Sequence, residues 1–206
     1  SIKQMPTIQK SKHVTVTENT TLHLSESSDT PVKYYIYAYG QITSSSTNAA
    51  KAIQKADEQM GVVMDNKTHI IWERGGKFLS KEVSGMSYPS TTDSIKGSAY
   101  MLMQAAQAQI DESKIKGSSL MSMIKKQIDQ PVDLTGCTLD EILYFVSSGK
   151  PVVGMLSSSH AVVITGYTGS TVTWLDPVTH KKTTTSLNSA DSTFKNAGYV
   201  FVSYIN

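Results

Sequence analysis

Apolar and polar positions follow two different periods along this chain, and the change of period divides it. From Val32 to Tyr39 the run VKYYIYAY is dense in β-branched and aromatic residues and predicts a strand, ended by Gly40. From Ala49 to Met60 the period becomes helical, with Ala49, Ile53, Ala56 and Met60 on one face. Ser44-Ser45-Ser46-Thr47-Asn48 offers the N-cap, and Gly61 fits the C-cap. Val62-Val63-Met64 and His69 to Glu73 read as strands around a turn at Asp65-Asn66-Lys67. The block is therefore expected to be a small β-α-β-β unit. Before it, residues 1–30 are polar, with short period-two pieces at Val14-Thr15-Val16 and Thr21-Leu22-His23-Leu24 that suit strands or an extended arm.

Lys81 to Pro89, with Gly85 and Pro89, reads as a linker, which gives expected domains of 1–84 and 85–206. Asp93 or Ser94 can cap a helix running to about Ile110, with an apolar stripe of Ile95, Ala99, Leu102, Met103, Ala106 and Ile110. A second helix is expected from about Ser118 to Ile128. Thr138-Leu139-Asp140-Glu141 fits a capping box, with Cys137 just before it able to pack against Ile142. That helix runs to Ser147 and stops at Ser148-Gly149-Lys150-Pro151. Strands follow at Val152 to Leu156, His160 to Tyr167, Thr171 to Leu175, Lys182 to Ser186 and Tyr199 to Ile205, with a helical turn near Ala190 to Asn196. Short turns between successive strands predict an antiparallel sheet and an α+β fold.

Composition narrows the function. The 206 residues are 39% hydrophobic and 17% charged, enough to bury a core. Net charge is +2, and Arg74 is the one arginine among 19 basic residues, which argues against nucleic acid. No apolar run reaches the roughly 20 residues of a membrane span. No His/Cys/Asp/Glu cluster has zinc or calcium spacing, and no glycine-rich phosphate loop is present, so neither metal nor cofactor is expected. Cys137 is the single cysteine, so no internal disulfide can form. His13, His23 and His180 read as solvated residues, and Met101, Met103, Met121 and Met123 as core filler. Tyr34, Tyr35, Tyr37 and Tyr39 either line a binding face or divide between core and surface. Glu73 and Arg74, adjacent on a strand, point to opposite faces.

The candidate chemistry is Ser98, His160 and Asp176. His160 opens one strand and Asp176 closes the next, just before Pro177, so a hairpin can bring base and orienting carboxylate together. Ser98 lies in the first turn or so of the first long helix of this half, where the helix dipole stabilises a developing anion. Three segments carry a resemblance: Gly149-Lys150-Pro151-Val152-Val153, His160-Ala161-Val162-Val163-Ile164-Thr165-Gly166-Tyr167, and Asp176-Pro177. They resemble the C39-like bacterial cysteine peptidases of the papain-like superfamily. The resemblance implies a papain-like C-terminal domain, a peptide or protein substrate, His160 as general base and Asp176 as its orienter.

It also implies a cysteine nucleophile at the start of the first long helix of the domain, a position that the sequence assigns to Ser98. Upstream, where the family has an oxyanion-stabilising glutamine, stand Thr91, Thr92 and Asp93. Three alternatives stay open: an artificial Cys→Ser replacement, a pseudoenzyme that keeps the fold for binding, and a serine nucleophile. Cys137 is the rival thiol, but its place before a helix cap reads as structural. Leu134 to Asp140 and Ile70 to Arg74 also resemble surface-located proteins of Gram-positive bacteria, so an extracellular or cell-surface location is expected. The reading of a different class is a non-catalytic binding or interaction module. Oligomeric state is left open by the sequence.

Overall fold

The computed structural model describes residues 31–74 and 81–205. The strand readings at 14–16 and 21–24, with His13 and His23, lie outside the described residues. The chain divides into two units, Ser1–Gly76 and Lys77–Asn206.

In the first unit, β1 (Tyr34–Ala38), β2 (Gln41–Ser46), α1 (Ala49–Glu58), β3 (Val62–Met64) and β4 (Ile70–Glu73) form an antiparallel sheet in the order β2-β1-β3-β4 with one helix. The expected β-α-β-β order thus becomes β-β-α-β-β. The reason is the turn: Tyr39 (φ 54°) and Gly40 (φ 79°) both sit in the left-handed region, the geometry of a two-residue hairpin. The chain doubles back, and the polar QITSSS segment pairs with β1 as an edge strand that apolar periodicity could not reveal. Asn48 caps α1, its side chain accepting from Lys51 N–H at 3.0 Å. Met60 (φ 56°), not Gly61, takes the left-handed position after the helix. Gly61 serves a close approach instead, since a Cβ there would lie 2.6 Å from the Tyr37 carbonyl oxygen.

Ile53 and Ala56 of α1 are buried, as are Ile36 and Val63 of the sheet it packs on. The tyrosines divide between core and surface, Tyr34 being 7% exposed and Tyr39 77%. Asp65 holds the β3–β4 turn, accepting from Lys67 N–H and His69 N–H and facing His69 Nδ1 at 3.1 Å. Arg74 donates to the Asp57 carbonyl at 2.6 Å.

The second unit holds α2 (Ser94–Ala105), α3 (Leu120–Ile124), β5 (Pro131–Asp133), α4 (Leu139–Ser147), β6 (Val152–Ser157), β7 (His160–Tyr167), β8 (Thr171–Leu175), β9 (Lys182–Ser186), α5 (Leu187–Asn196) and β10 (Phe201–Tyr204). Six strands run in the order β5-β10-β6-β7-β8-β9, every pair antiparallel. Alternation along the strands supplies two buried faces. Val153, Met155, Ala161, Val163, Val202 and Tyr204 pack with α2 and α3. On the other side Phe194 of α5 meets Trp174 and Phe201, with ring centroids 5.7 and 5.1 Å away. Gly154 lies under these rings, where a Cβ would come within 2.8 Å of Phe194. Asp191 of α5 accepts from Leu139 N–H at the start of α4 and from the Tyr199 hydroxyl.

Four elements of the second unit differ from the sequence reading. Helix α2 stops at Ala105, followed by Gln107 in the left-handed region (φ 58°), although no Gly or Pro marks the end. Helix α3 is a single short turn, and β5, only three residues long, forms by pairing with β10. The supposed helical turn after β9 is a full helix from Leu187, capped by Ser186. Residues 82 and 83, within the stretch read as a linker, belong to the second unit and pack on its strand β7: Val83 N–H bonds Thr165 O at 2.8 Å.

Candidate active site

Two features of β7 and β8 bring His160 and Asp176 together. Both ladders that β7 makes carry a register shift, between Met155 and Ser157 on β6 and between Ile164 and Gly166 on β7 itself. The chain after β8 then folds into a tight turn around the Asp176 carboxylate. Its Oδ1 accepts from Val178 N–H at 2.9 Å and Thr179 N–H at 3.1 Å, and its carbonyl accepts from His180 N–H at 2.9 Å. The remaining oxygen, Oδ2, lies 2.8 Å from His160 Nε2. Burial acts to raise the Asp176 pKa, but the two backbone donors and His160 outweigh it and hold the carboxyl below its ordinary value. The Asp176 side chain is 12% exposed and that of His160 44%, so the carboxylate is enclosed and the imidazole opens to solvent. An imidazole that donates Nε2–H to Asp176 presents Nδ1 as its acceptor.

His180, read from sequence as a solvated turn residue, has a defined structural place. Its ring stacks on Tyr88, with centroids 4.6 Å apart and planes 6° from parallel, and its Nε2 lies 3.0 Å from Pro89 O. The turn that carries Asp176 is thereby tied to the segment leading into α2. Gly97 makes the same junction from the helix side, where a Cβ would lie 2.8 Å from both Pro177 Cβ and Thr91 Cγ2.

The helix that faces the pair begins at Ser94, with Asp93 as N-cap. Ser94 Oγ accepts from Ala161 N–H at 3.0 Å and donates to Ser159 O at 3.4 Å, bridging the backbone on either side of His160. Ser98 stands a full turn further into the helix. It is 0% exposed, and its Oγ has no hydrogen-bond partner. The structure therefore pairs His160 with Asp176 and ties Ser94 to the backbone on either side of His160, while the Ser98 hydroxyl lies buried within the helix packing. The sequence does contain the signal for Ser94: Asp93 is a strong N-cap, and a residue at the start of a helix follows its cap directly. Periodicity alone gave no reason to prefer it over Ser98.

A buried hydroxyl without a partner has a cost. Ser98→Ala is expected to raise stability by about 1 kcal/mol, read as a shift of the urea midpoint at unchanged slope, because it removes an unsatisfied polar atom and adds helix propensity. No gain would mean that the hydroxyl is satisfied in solution.

Asp93 affects the helix end in another way. Its Oδ1 accepts from Ile95 N–H at 3.0 Å and Lys96 N–H at 3.1 Å, so a carboxylate sits where the helix dipole would otherwise favour a developing anion. Cys137 is 0% exposed, just before α4, the helix that Asp191 links to α5 on the sheet face opposite α2. Among the described residues no group of three or more His, Cys, Asp or Glu could hold a metal ion, and no helix is long and apolar enough to cross a membrane.

Neither curated proteins nor solved structures gave a match to the chain. The Peptidase_C39 like family matches residues 36–203, a span that includes part of the first unit, nearly all of the second and all three segments on which the resemblance rests. The papain-like reading and the α+β class agree with this match. The chain belongs to the Peptidase_C39 like family.

Proposed function

We propose that this peptidase-type domain binds peptides at the His160–Asp176 site and hydrolyses them weakly or not at all as it stands. The observation that carries the reading is the position of the Ser94 hydroxyl. One of its lone pairs is used by Ala161 N–H at 3.0 Å, and the hydroxyl is placed to donate to Ser159 O, 3.4 Å away. An activated serine would instead direct that proton to the base, the hydrogen bond that marks a nucleophile–base pair. The missing thiol and the Asp93 carboxylate at the helix start act in the same direction. A thiolate forms far more readily than an alkoxide, and a fixed negative charge opposes an oxyanion. The half-exposed imidazole and its ordered carboxylate remain as a recognition surface for peptide groups. The Ser-, Thr- and Lys-rich composition supports, as part of the same reading, a location outside the cytoplasm.

The test is a titration with mixtures of short peptides, observed at the His160 imidazole by NMR with a mass-spectrometric search for products. Saturable His160 shifts without products are expected. Products that disappear with Ser94→Ala would overturn the silent reading, and no shift with any peptide would overturn binding.

A further inference from the structure

A cavity of about 290 Å³ lies in the second unit beside the Asp176 turn. It is formed where residues 82–88 cross α2 and the end of the sheet. The crossing segment is pinned at both ends. At one end Val83 N–H bonds Thr165 O at 2.8 Å, and Thr165 Oγ1 donates to Glu82 Oε1 at 3.0 Å. At the other, Ser87 N–H bonds Gln104 Oε1 at 3.0 Å, and Gln104 Nε2 donates to Ser87 Oγ at 2.9 Å. Between the pins the chain bows out at Gly85 (φ +90°), which has no atom within 4 Å of its Cβ position. The walls are Met86, Tyr88, Met101 and Leu175, with Glu82 and Lys182 also lining the space.

The cavity is separate from the His160 site. Along one face of α2, Ser94, Gly97 and Met101 succeed one another. At Gly97 the helix closes directly on Pro177 and Thr91, so a packed junction stands between Ser94 at the helix start and Met101 in the cavity wall. The polar groups define the head that a ligand would need. Both Glu82 oxygens are already in use, Oε1 by Thr165 and Oε2 by Lys182 at 2.9 Å. The Lys182 ammonium spends one of its three donors on Glu82 and keeps two, and it is the one cation among the lining residues, so it is the group that an anionic head can meet. Apolar walls with one cationic donor at the edge match an acceptor head on an aliphatic chain, and the volume is near the small end of ligand pockets, roughly 300 Å³.

We propose that the cavity between residues 82–88, Met101 and Leu175 is a second binding site, for a small aliphatic carboxylate whose chain lies against the two methionines and whose head meets Lys182. The site does not depend on the peptide reading, because it uses neither His160 nor Ser94. The two methionines also supply the probe, since the chain has 9 methionines and those elsewhere serve as internal controls.

The experiment titrates the full chain, labelled with 13C at the methionine methyls, with octanoate. Met86→Leu and Met101→Leu assign the two signals. Saturable shifts confined to the Met86 and Met101 methyls are expected, with about tenfold weaker binding for octanol and for Lys182→Ala, the loss of one charge-assisted bond. His160→Ala should bind octanoate as the unaltered chain does. No saturable shift at these two methyls would overturn the site, as would equal shifts at all methionines, which mark adsorption of an amphiphile. Equal binding of octanol and octanoate would overturn the carboxylate head.

Discussion

Ser94→Cys is expected to give this chain a thiol that iodoacetamide labels at neutral pH, while Ser98→Cys is expected to give one that stays inert. The difference follows from position on one helix. Residue 94 is the first residue of α2 and adjoins the strand start that carries His160, so a thiol there has a base close by even though the Asp93 carboxylate offsets the helix dipole. Residue 98 is 0% exposed and a turn further in. The labelling of Ser94→Cys should fall by about 100-fold when His160→Ala is added, the scale of a positioned base. The native Cys137, completely buried, should remain unlabelled in every variant under folding conditions and so provides a control. The reading fails if Ser98→Cys labels faster than Ser94→Cys, because the hydroxyl bonded on either side of His160 would then not mark the reactive position.

Gly97→Val should have the largest effect on stability. A Cβ at 97 comes within 2.8 Å of Pro177 Cβ, which belongs to a rigid ring, and of Thr91 Cγ2, which can turn aside. The helix must therefore lift from the Asp176–Pro177 turn, and overpacking of this kind costs about 3 kcal/mol. The lift also withdraws the seat of the turn that aims Asp176 at His160. In the Ser94→Cys background the substitution should reduce labelling along with stability, although residue 97 touches neither ring nor thiol. A urea midpoint unchanged by Gly97→Val would show that the junction is loose in solution.

Much of the second unit was legible in its residues. The capping box at Thr138 and Glu141 closes as its spacing requires, with Thr138 N–H bonded to Glu141 Oε1 at 2.8 Å and Glu141 N–H to Thr138 Oγ1 at 3.2 Å. The five expected strand runs, the polar one at Lys182 to Ser186 among them, became antiparallel strands, and the hairpin set His160 against Asp176. What escaped had tertiary causes. The polar β2 exists because of the Tyr39–Gly40 turn, and β5 because β10 offers it an edge. Ser94 was passed over in favour of Ser98 because both occur on the same short stretch. What separates them is how helix and strand meet: one hydroxyl reaches Ser159 and Ala161, and the other is sealed in the core. His180 is exposed, as its turn sequence suggests, and what the local pattern cannot show is its contact with Tyr88 and Pro89, about 90 residues away in sequence.

The most direct test of the central claim compares hydrolysis of a quenched-fluorescence peptide library by the unaltered chain, by Ser94→Cys, and by Ser94→Cys combined with His160→Ala. The account predicts no turnover above buffer for the unaltered chain, measurable turnover for Ser94→Cys, and its loss in the double variant. Turnover by the unaltered chain that His160→Ala abolishes would contradict it, because the Ser94 hydroxyl would then be a working nucleophile rather than a bridge between Ser159 and Ala161.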